Sequence, residues 1–553
     1  MPNDWKNKLY FGDNLDIIRR YIKDESVDLI YLDPPFNSNA TYNVLFKEKN
    51  GENSIAQITA FEDTWQWSQD TEYAYREIVK NSPKKLADLI QAFRIFLGQN
   101  NMMAYLTMMA QRMSEFHRVL KPTGSIYLHC DPTASHYLKL LMDAVFGFSN
   151  FRNEIAWERS QTRSSIRQIY RRAHDILLFY TNSDSYVFNL QFRELSQTSK
   201  ELYSHKDEHG EYQKVPLLVS GRRHGQTGQV WRGIDPNKFG KSGMHWITSP
   251  KNLDEYETRG LVIWPDKQGG LPRLKYYLEQ SPGVPINDDW HDIDIISSTA
   301  KESLGYPTQK PEALLERIIR TSSNQNDLVL DPFCGCGTAI VVAERLHRRW
   351  IGIDITHLAI TLMRHRLTNS FGPSLSSYEI VGQPKDLESA KALAQESEHE
   401  GRYQFEWWAL GLVDARPAKD MKKGSDKGVD GFINFFDDNS GKAKTIIVQV
   451  KSGHVNVSHI HALKGVLQRE KAQIGAYITL EEPTKPMLEE AATSGFYEPE
   501  HFPGHYYPRI QILTIRQLLD GKTLDYPRYA PVATFKKAPR LHKENDNEQV
   551  RIL

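Results

Sequence analysis

Two short turns carry the residue types from which chemistry could be built. The first is Asp33-Pro34-Pro35-Phe36, which follows the apolar run Val27-Asp28-Leu29-Ile30-Tyr31-Leu32. A β-branched and aromatic run stopped by two prolines reads as a buried strand ending in a rigid turn, because proline has no N–H with which to continue a ladder. A carboxylate and ring-fixed carbonyls at a strand's carboxyl end can hold both hydrogens of a planar exocyclic amine. They favour a pyramidal nitrogen, restoring a lone pair otherwise delocalised into the base, while the Phe36 ring stacks on it. Such a base must first leave its duplex. Taken alone, the tetrapeptide is equally an ordinary strand-ending turn.

The second turn is Asp331-Pro332-Phe333-Cys334-Gly335-Cys336-Gly337-Thr338, entered from Leu328-Val329-Leu330 and followed by a helical run from Ala339 to Leu346. Strand, glycine-rich turn and helix let backbone approach a ligand closely and aim N–H groups at its charged tail. About twenty residues beyond Asp331, Trp350-Ile351-Gly352-Ile353 ends in Asp354, an acid suited to a ribose diol. One thiol pair, Cys334 and Cys336, without a second pair or nearby histidines, is a poor zinc site and reads as small-residue packing. Phe239-Gly240-Lys241-Ser242 resembles a phosphate loop, but Asp235 stands where that loop needs glycine. No ATP-driven motor is visible.

The elements that must position these turns alternate. Leu9-Tyr10-Phe11 is a strand, Gly12-Asp13 a turn, and Leu15 to Ile22 a helix before the strand at Val27. Asp13 is either this helix's N-cap or a neighbour of a bound ligand. From Asn37 to about Asn100 the chain is polar and aromatic, as a lid or substrate-contact loop would be. Asn101 to Leu120 carries Met102, Met103, Leu106, Met109, Met113 and Phe116 at helical spacing, a core stripe. Ser125 to His129 is a strand, Ser135 to Phe146 a helix, and His174 to Tyr180 a closing strand. The alternation predicts an α/β fold with a doubly wound parallel sheet. Between its elements, Arg159, Arg163, Arg167, Arg171 and Arg172 can track phosphates, and the aromatic, basic stretch 186–300 is a candidate for reading base edges.

The order of catalytic turn, recognition region and glycine-rich turn resembles the beta class of amino-group DNA methyltransferases, including the modification subunits of type III restriction systems. The resemblance runs from Leu9 to about Asn369. It implies a permuted Rossmann-like methyltransferase sheet and S-adenosylmethionine held by Asp13, Thr308, Gln309, Lys310, Pro311, Asp331, Phe333, Gly335, Gly337, Thr338 and Asp354. Asp33, Pro34, Pro35 and Phe36 would grip a flipped adenine in double-stranded DNA for methylation at N6, with cytosine N4 as the alternative. A homodimer is compatible with it.

A further set of residues lies downstream. Phe405, Trp408, Ala409 and Leu412 mark one helix face with Glu406 beside them, and Gly428 to Ile433 and Ile446 to Lys451 form strands hinged near Ser440. Counting back from that hinge sets Asp430 about opposite Lys451. Asp430, Gln449 and Glu406 could hold a hydrated Mg²⁺ while Lys451 positions water. This resembles the Mrr-like branch of restriction endonucleases, with glutamine in place of the acid before the lysine; it implies Asp430, Gln449 and Lys451 as catalytic set, Asp430 and Gln449 as metal ligands, and a restriction-modification protein.

Composition sets the frame for these readings. The chain has 553 residues, 25% charged and 40% hydrophobic, with Lys plus Arg equal to Asp plus Glu at 69 each, so any DNA-binding face must be local. Three cysteines exclude a disulfide framework, no run is long enough for a membrane span, and the charged start lacks a signal core, which together predict a cytoplasmic protein. The expected division is methyltransferase at 1–185 and 301–382, recognition region at 186–300, linker at 383–401, endonuclease-like α/β domain at 402–535 and a flexible tail at 536–553.

Overall fold

The computed structural model describes residues 5–35, 41–47, 53–62, 67–159, 173–266, 270–297, 300, 302–304, 308–395, 400–418, 428–437, 443–499 and 503–527. Two compact units emerge, residues 190–287 and the remainder of the chain. Phe36 and the arginines from 163 to 172 lie outside the described residues.

The larger unit is organised by a nine-stranded sheet. Its strands in chain order are β1 (Asn7–Phe11), β2 (Val27–Leu32), β3 (Leu120–Cys130), β4 (Phe151–Glu158), β5 (His174–Thr181), β6 (Asp289–Trp290), β7 (Leu328–Asp331), β8 (Arg349–Asp354) and β9 (Tyr378–Val381). They lie in the order β6-β4-β5-β3-β2-β7-β8-β1-β9, with β5 antiparallel to both neighbours and every other pairing parallel. A parallel strand is buried on both faces, which is why Leu29, Ile30, Leu32, Val329 and Leu330 are all fully buried and show no polar alternation.

The four strands that matter most are consecutive in this sheet. β2 pairs with β7 through Leu330 and Ile30, β7 with β8 through Asp331 and Gly352, and β8 with β1 through Asp354 and Phe11. Their carboxyl ends therefore share one edge. The turns at Asp33, Asp331, Asp354 and Gly12 are placed side by side although more than 300 positions separate Gly12 from Asp354 in sequence.

Met103, Leu106, Met109, Met113 and Phe116 are fully buried along the helix Asn101–Val119, so the methionine stripe is core. The stretch from Asn37 to Asn100 is less loop-like than its composition predicts, because it contains the helices Gln69–Asn81 and Lys84–Leu97. Leu86, Ala87, Ile90 and Phe93 recur there at helical spacing and are buried, enough to dock a helix despite the polar surroundings. Residues 190–287, within the aromatic and basic stretch, contain regular structure of their own. A four-stranded antiparallel sheet includes Gly210–Pro216 and Arg273–Tyr277, and Leu217, Leu218, Trp231, Trp246 and Leu253 form a small core of their own.

Downstream, a five-stranded sheet is built from Arg416–Pro417, Gly431–Phe435, Lys444–Lys451, Ile474–Thr479 and Ile510–Thr514. The helix Glu400–Leu412 buries Phe405, Trp408 and Ala409 in a core that also contains Cys336, Leu358 and Leu362. Among the described residues, no helix is long and apolar enough to cross a membrane.

Candidate active site

Asp33 follows β2 at the sheet edge, with Pro34 buried behind it and Pro35 half-buried. Both Asp33 carboxylate oxygens accept from the Lys310 ammonium, at 2.6 and 2.5 Å. Both groups are largely withdrawn from water, with side chains 16% and 11% exposed, so the charges are held in one geometry by a site that screens them weakly. Lys310, assigned from sequence to the cofactor pocket, is the direct partner of the candidate catalytic acid. Its neighbour Gln309 staples its own loop, donating to the Glu302 carbonyl and accepting from the Leu304 N–H, while Thr308 is half-buried and Pro311 leads into the helix Glu312–Ser322.

On the adjoining strand, Asp331 is buried and accepts from the Phe333 N–H. Burial pushes its carboxyl well above the ordinary range, and the neighbouring charges of Asp33 and Asp354 add to the shift. The loop beyond it tightens through Gly335 and Gly337, whose φ angles of 48° and 76° favour glycine. At Gly337 the need is also steric, since a Cβ there would meet the Met363 side chain at 2.5 Å. Gly337 opens the helix Thr338–Arg345.

Asp354 ties this loop to the next strand. One of its oxygens accepts from the Gly335 N–H at 2.9 Å, and the other from the Thr356 N–H and hydroxyl. Burial raises its pKa against those hydrogen bonds. Directly after it, Ile355 is 56% exposed, an apolar side chain facing outward beside a buried acid. A carboxylate for a diol, an apolar surface for a planar ring and a glycine loop at a helix start are the donor set a nucleoside-bearing cofactor requires, and these residues fit one.

Asp13 shows which of its two readings the contacts support. It caps the helix Asn14–Tyr21, accepting from the Leu15 N–H at 2.8 Å, and its second oxygen takes the Arg112 guanidinium at 2.6 Å. Arg112 and its neighbour Asn14 were missed from sequence. Arg112 donates to the Asn14 side-chain oxygen, and Asn14 in turn donates to the Pro332 carbonyl at 2.8 Å, pinning the tip of β1 to the glycine-rich turn. Arg366, also missed, is buried and donates to the Cys336 carbonyl, Thr338 and Glu312. A charged residue on a distant helix carries no local mark of such a role.

The downstream residues gather only in part. Gly431 pairs with Val448, a register that sets Asp430 opposite Gln449, two residues short of the Lys451 that counting back from Ser440 gave. Asp430 accepts from the Val450 N–H at 2.7 Å, and the Gln449 amide donates to the Gly428 carbonyl. Lys451 ends its strand opposite Thr479, and Glu406 is half-buried on the helix Glu400–Leu412. One oxygen of the only carboxylate in the pair is committed to backbone, and the amide turns its N–H₂ to a carbonyl. Among the described residues, no group of three His, Cys, Asp or Glu side chains could hold a metal. The described residues give this set no support as a Mg²⁺ site.

A family model described as DNA methylase matches residues 27–364, and one described as NACHT-associated inactive Restriction Endonuclease 1, not the expected Mrr-like branch, matches residues 404–520. The chain is 28% identical over 397 residues to the type II methyltransferase M.EcaI of Enterobacter cloacae, covering 71% of this chain and 76% of that protein. It is 26% identical over 342 residues to the Mod subunit of the type III restriction-modification enzyme StyLTI of Salmonella typhimurium, covering 60% of this chain and 49% of that protein. A solved structure of a putative DNA modification methylase from Thermus thermophilus, complexed with S-adenosyl-L-methionine, overlaps 68% of this chain and 99% of its own at 14% identity, with a TM-score of 0.32. A family model spanning more than half the chain, laid over the two adjoining turns, places this protein in the N6/N4 DNA methylase family.

Proposed function

We propose that the protein transfers a methyl group from S-adenosylmethionine to the N6 amine of adenine in double-stranded DNA, as the modification activity of a restriction-modification system. The observation that carries this reading is the adjacency of Asp33-Pro34-Pro35 and the Asp331–Thr338 loop on paired parallel strands. Asp354 and Ile355 suit the cofactor's ribose and adenine, and the start of the helix Thr338–Arg345 suits its carboxylate. Bound there, the cofactor would supply an electrophilic methyl on a sulfonium.

The protein's own task is orientation. Asp33 accepts one amine hydrogen and the Pro34 carbonyl a second, which holds the nitrogen lone pair in line for direct displacement. Lys310 fixes the direction of the Asp33 carboxylate. Incubating the protein with DNA and labelled S-adenosylmethionine, then separating the nucleosides, tests the assignment. Label in N6-methyladenine is expected; label in N4-methylcytosine would move the acceptor to cytosine.

For residues 404–520 we favour a module that engages DNA without cutting it. The commitment of Asp430 and Gln449 to backbone partners supports this, as does the inactive family whose model matches there. Supercoiled plasmid, methylated or not, incubated with the protein and Mg²⁺ should remain unbroken. Nicking or linearisation lost on Lys451→Ala would restore the nuclease.

A further inference from the structure

A line of buried polar groups runs beneath the catalytic turn and takes no part in the mechanism above. The Tyr31 hydroxyl on β2 lies 3.0 Å from His129 Nδ1 on β3, and His129 Nε2 lies 3.1 Å from an Asp175 carboxylate oxygen on β5. The other Asp175 oxygen faces the Arg159 guanidinium at 3.3 Å, where β4 ends. His129 is fully buried, and Tyr31 and Asp175 are each 2% exposed. The edge of the imidazole meets Trp157, with ring centroids 5.7 Å apart.

Groups this deep are costly unless paired, and here three strands of the sheet supply hydrogen-bond partners, with Asp175 Oδ1 held by the charge of Arg159 and no hydrogen bond among the described residues. Burial works against ionisation of Asp175, but its bond to His129 and the charges of Arg159 and Lys310 outweigh it and hold the pKa below the ordinary range. An ionised Asp175 only accepts, so His129 Nε2 carries a proton toward it, and the ring's position between Asp175 and Tyr31 is held from both nitrogens.

Tyr31 lies on β2 two residues before Asp33, which follows the strand, and the charge of the Lys310 ammonium that grips Asp33 also favours ionised Asp175. We propose that Tyr31, His129 and Asp175 form a positioning relay that fixes the tip of β2, and so the amine-holding Asp33 and Pro34, for methyl transfer. This inference rests on the reading of Asp33 as the group that holds the acceptor amine. None of the three touches substrate. Their effect is on the placement of groups that do, where displacement by about 1 Å can cost about a hundredfold in rate.

The test is a double-mutant cycle in the full chain, with Tyr31→Phe, which keeps the ring and its volume, and Asp175→Ala. Single-turnover methyl transfer at saturating DNA and S-adenosylmethionine should fall by about ten- to a hundredfold in each variant. The DNA KM and the calorimetric affinity for S-adenosylmethionine should stay within about twofold, because a relay that orients the acceptor changes the chemical step and not binding. Combining the two should cost little more than either alone, as for members of one line. Asp33→Ala is measured alongside. Were Tyr31→Phe to keep its rate, or the two losses to multiply, while Asp33→Ala is inactive, the relay would be refuted and the role of Asp33 would stand. An active Asp33→Ala would refute the reading on which the relay rests.

Discussion

The Lys310 ammonium bridges both carboxylate oxygens of Asp33 across 277 positions of sequence. An ion pair this withdrawn from water depends on both members, since removing one strands the other's charge in a poorly solvated place. Lys310→Met should therefore cost methyl transfer by about ten- to a hundredfold. Rapid-quench rates and calorimetry separate the alternatives. The loss is expected in the rate at saturation, with S-adenosylmethionine affinity changed by less than about threefold; the reverse pattern would return Lys310 to the cofactor.

Gly337 is where the cofactor loop can least tolerate a side chain. Its φ of 76° is strained for any L-residue, and an added Cβ would press on Met363. Gly337→Ala should destabilise the protein by about 1–3 kcal/mol in urea titration and weaken S-adenosylmethionine binding at the same time.

The two turns were legible because local chemistry marks them. Proline stops a ladder, glycine adopts positive φ, and an apolar run without alternation announces a parallel strand, so β2, β7 and β8 and their tips could be placed from sequence. What joins the tips was not legible. Asn14 to Pro332, Arg112 to Asp13, Arg366 to Cys336 and Lys310 to Asp33 are long-range pairings, and no local pattern tells either member which partner the sheet will bring to it. The hairpin below Asp430 failed for a related reason: its register depends on the turn's conformation, and a slip of two residues leaves the alternation pattern unchanged.

Arg112 tests the tie between the tip of β1 and the rest of the edge. It is the shared donor for Asn14 and Asp13, both at 2.6 Å. Arg112→Met fills similar space but leaves both acceptors without it. A loss of about 2–3 kcal/mol is expected by urea titration, the Asp13 share being the smaller because its carboxylate is partly in solvent.

His357 gives the fold a dependence on pH. The ring is buried, stacked on Phe11 with centroids 3.6 Å apart, and burial lowers its pKa from 6.5 to about 3. The unfolded chain takes up this proton below about pH 6.5 and the folded chain does not until about pH 3, so stability is fully present above that window and is lost as the solution is acidified through it. The contribution by pH 4 is about 3 kcal/mol. In His357→Gln, chemical denaturation should show a lower stability at pH 7 and a flatter profile between pH 6.5 and 4. An unchanged slope would mean that other groups cause the acid sensitivity.

The most direct test of one edge serving two substrates is a paired measurement on Asp33→Ala, of S-adenosylmethionine affinity by calorimetry and of labelled methyl delivered to DNA. Affinity within about twofold of the parent, with transfer reduced by at least about a thousandfold, is the expected result. Methyl transfer by Asp33→Ala at a rate near that of the parent would contradict the assignment of the Asp33-Pro34 turn as the place where the acceptor amine is held.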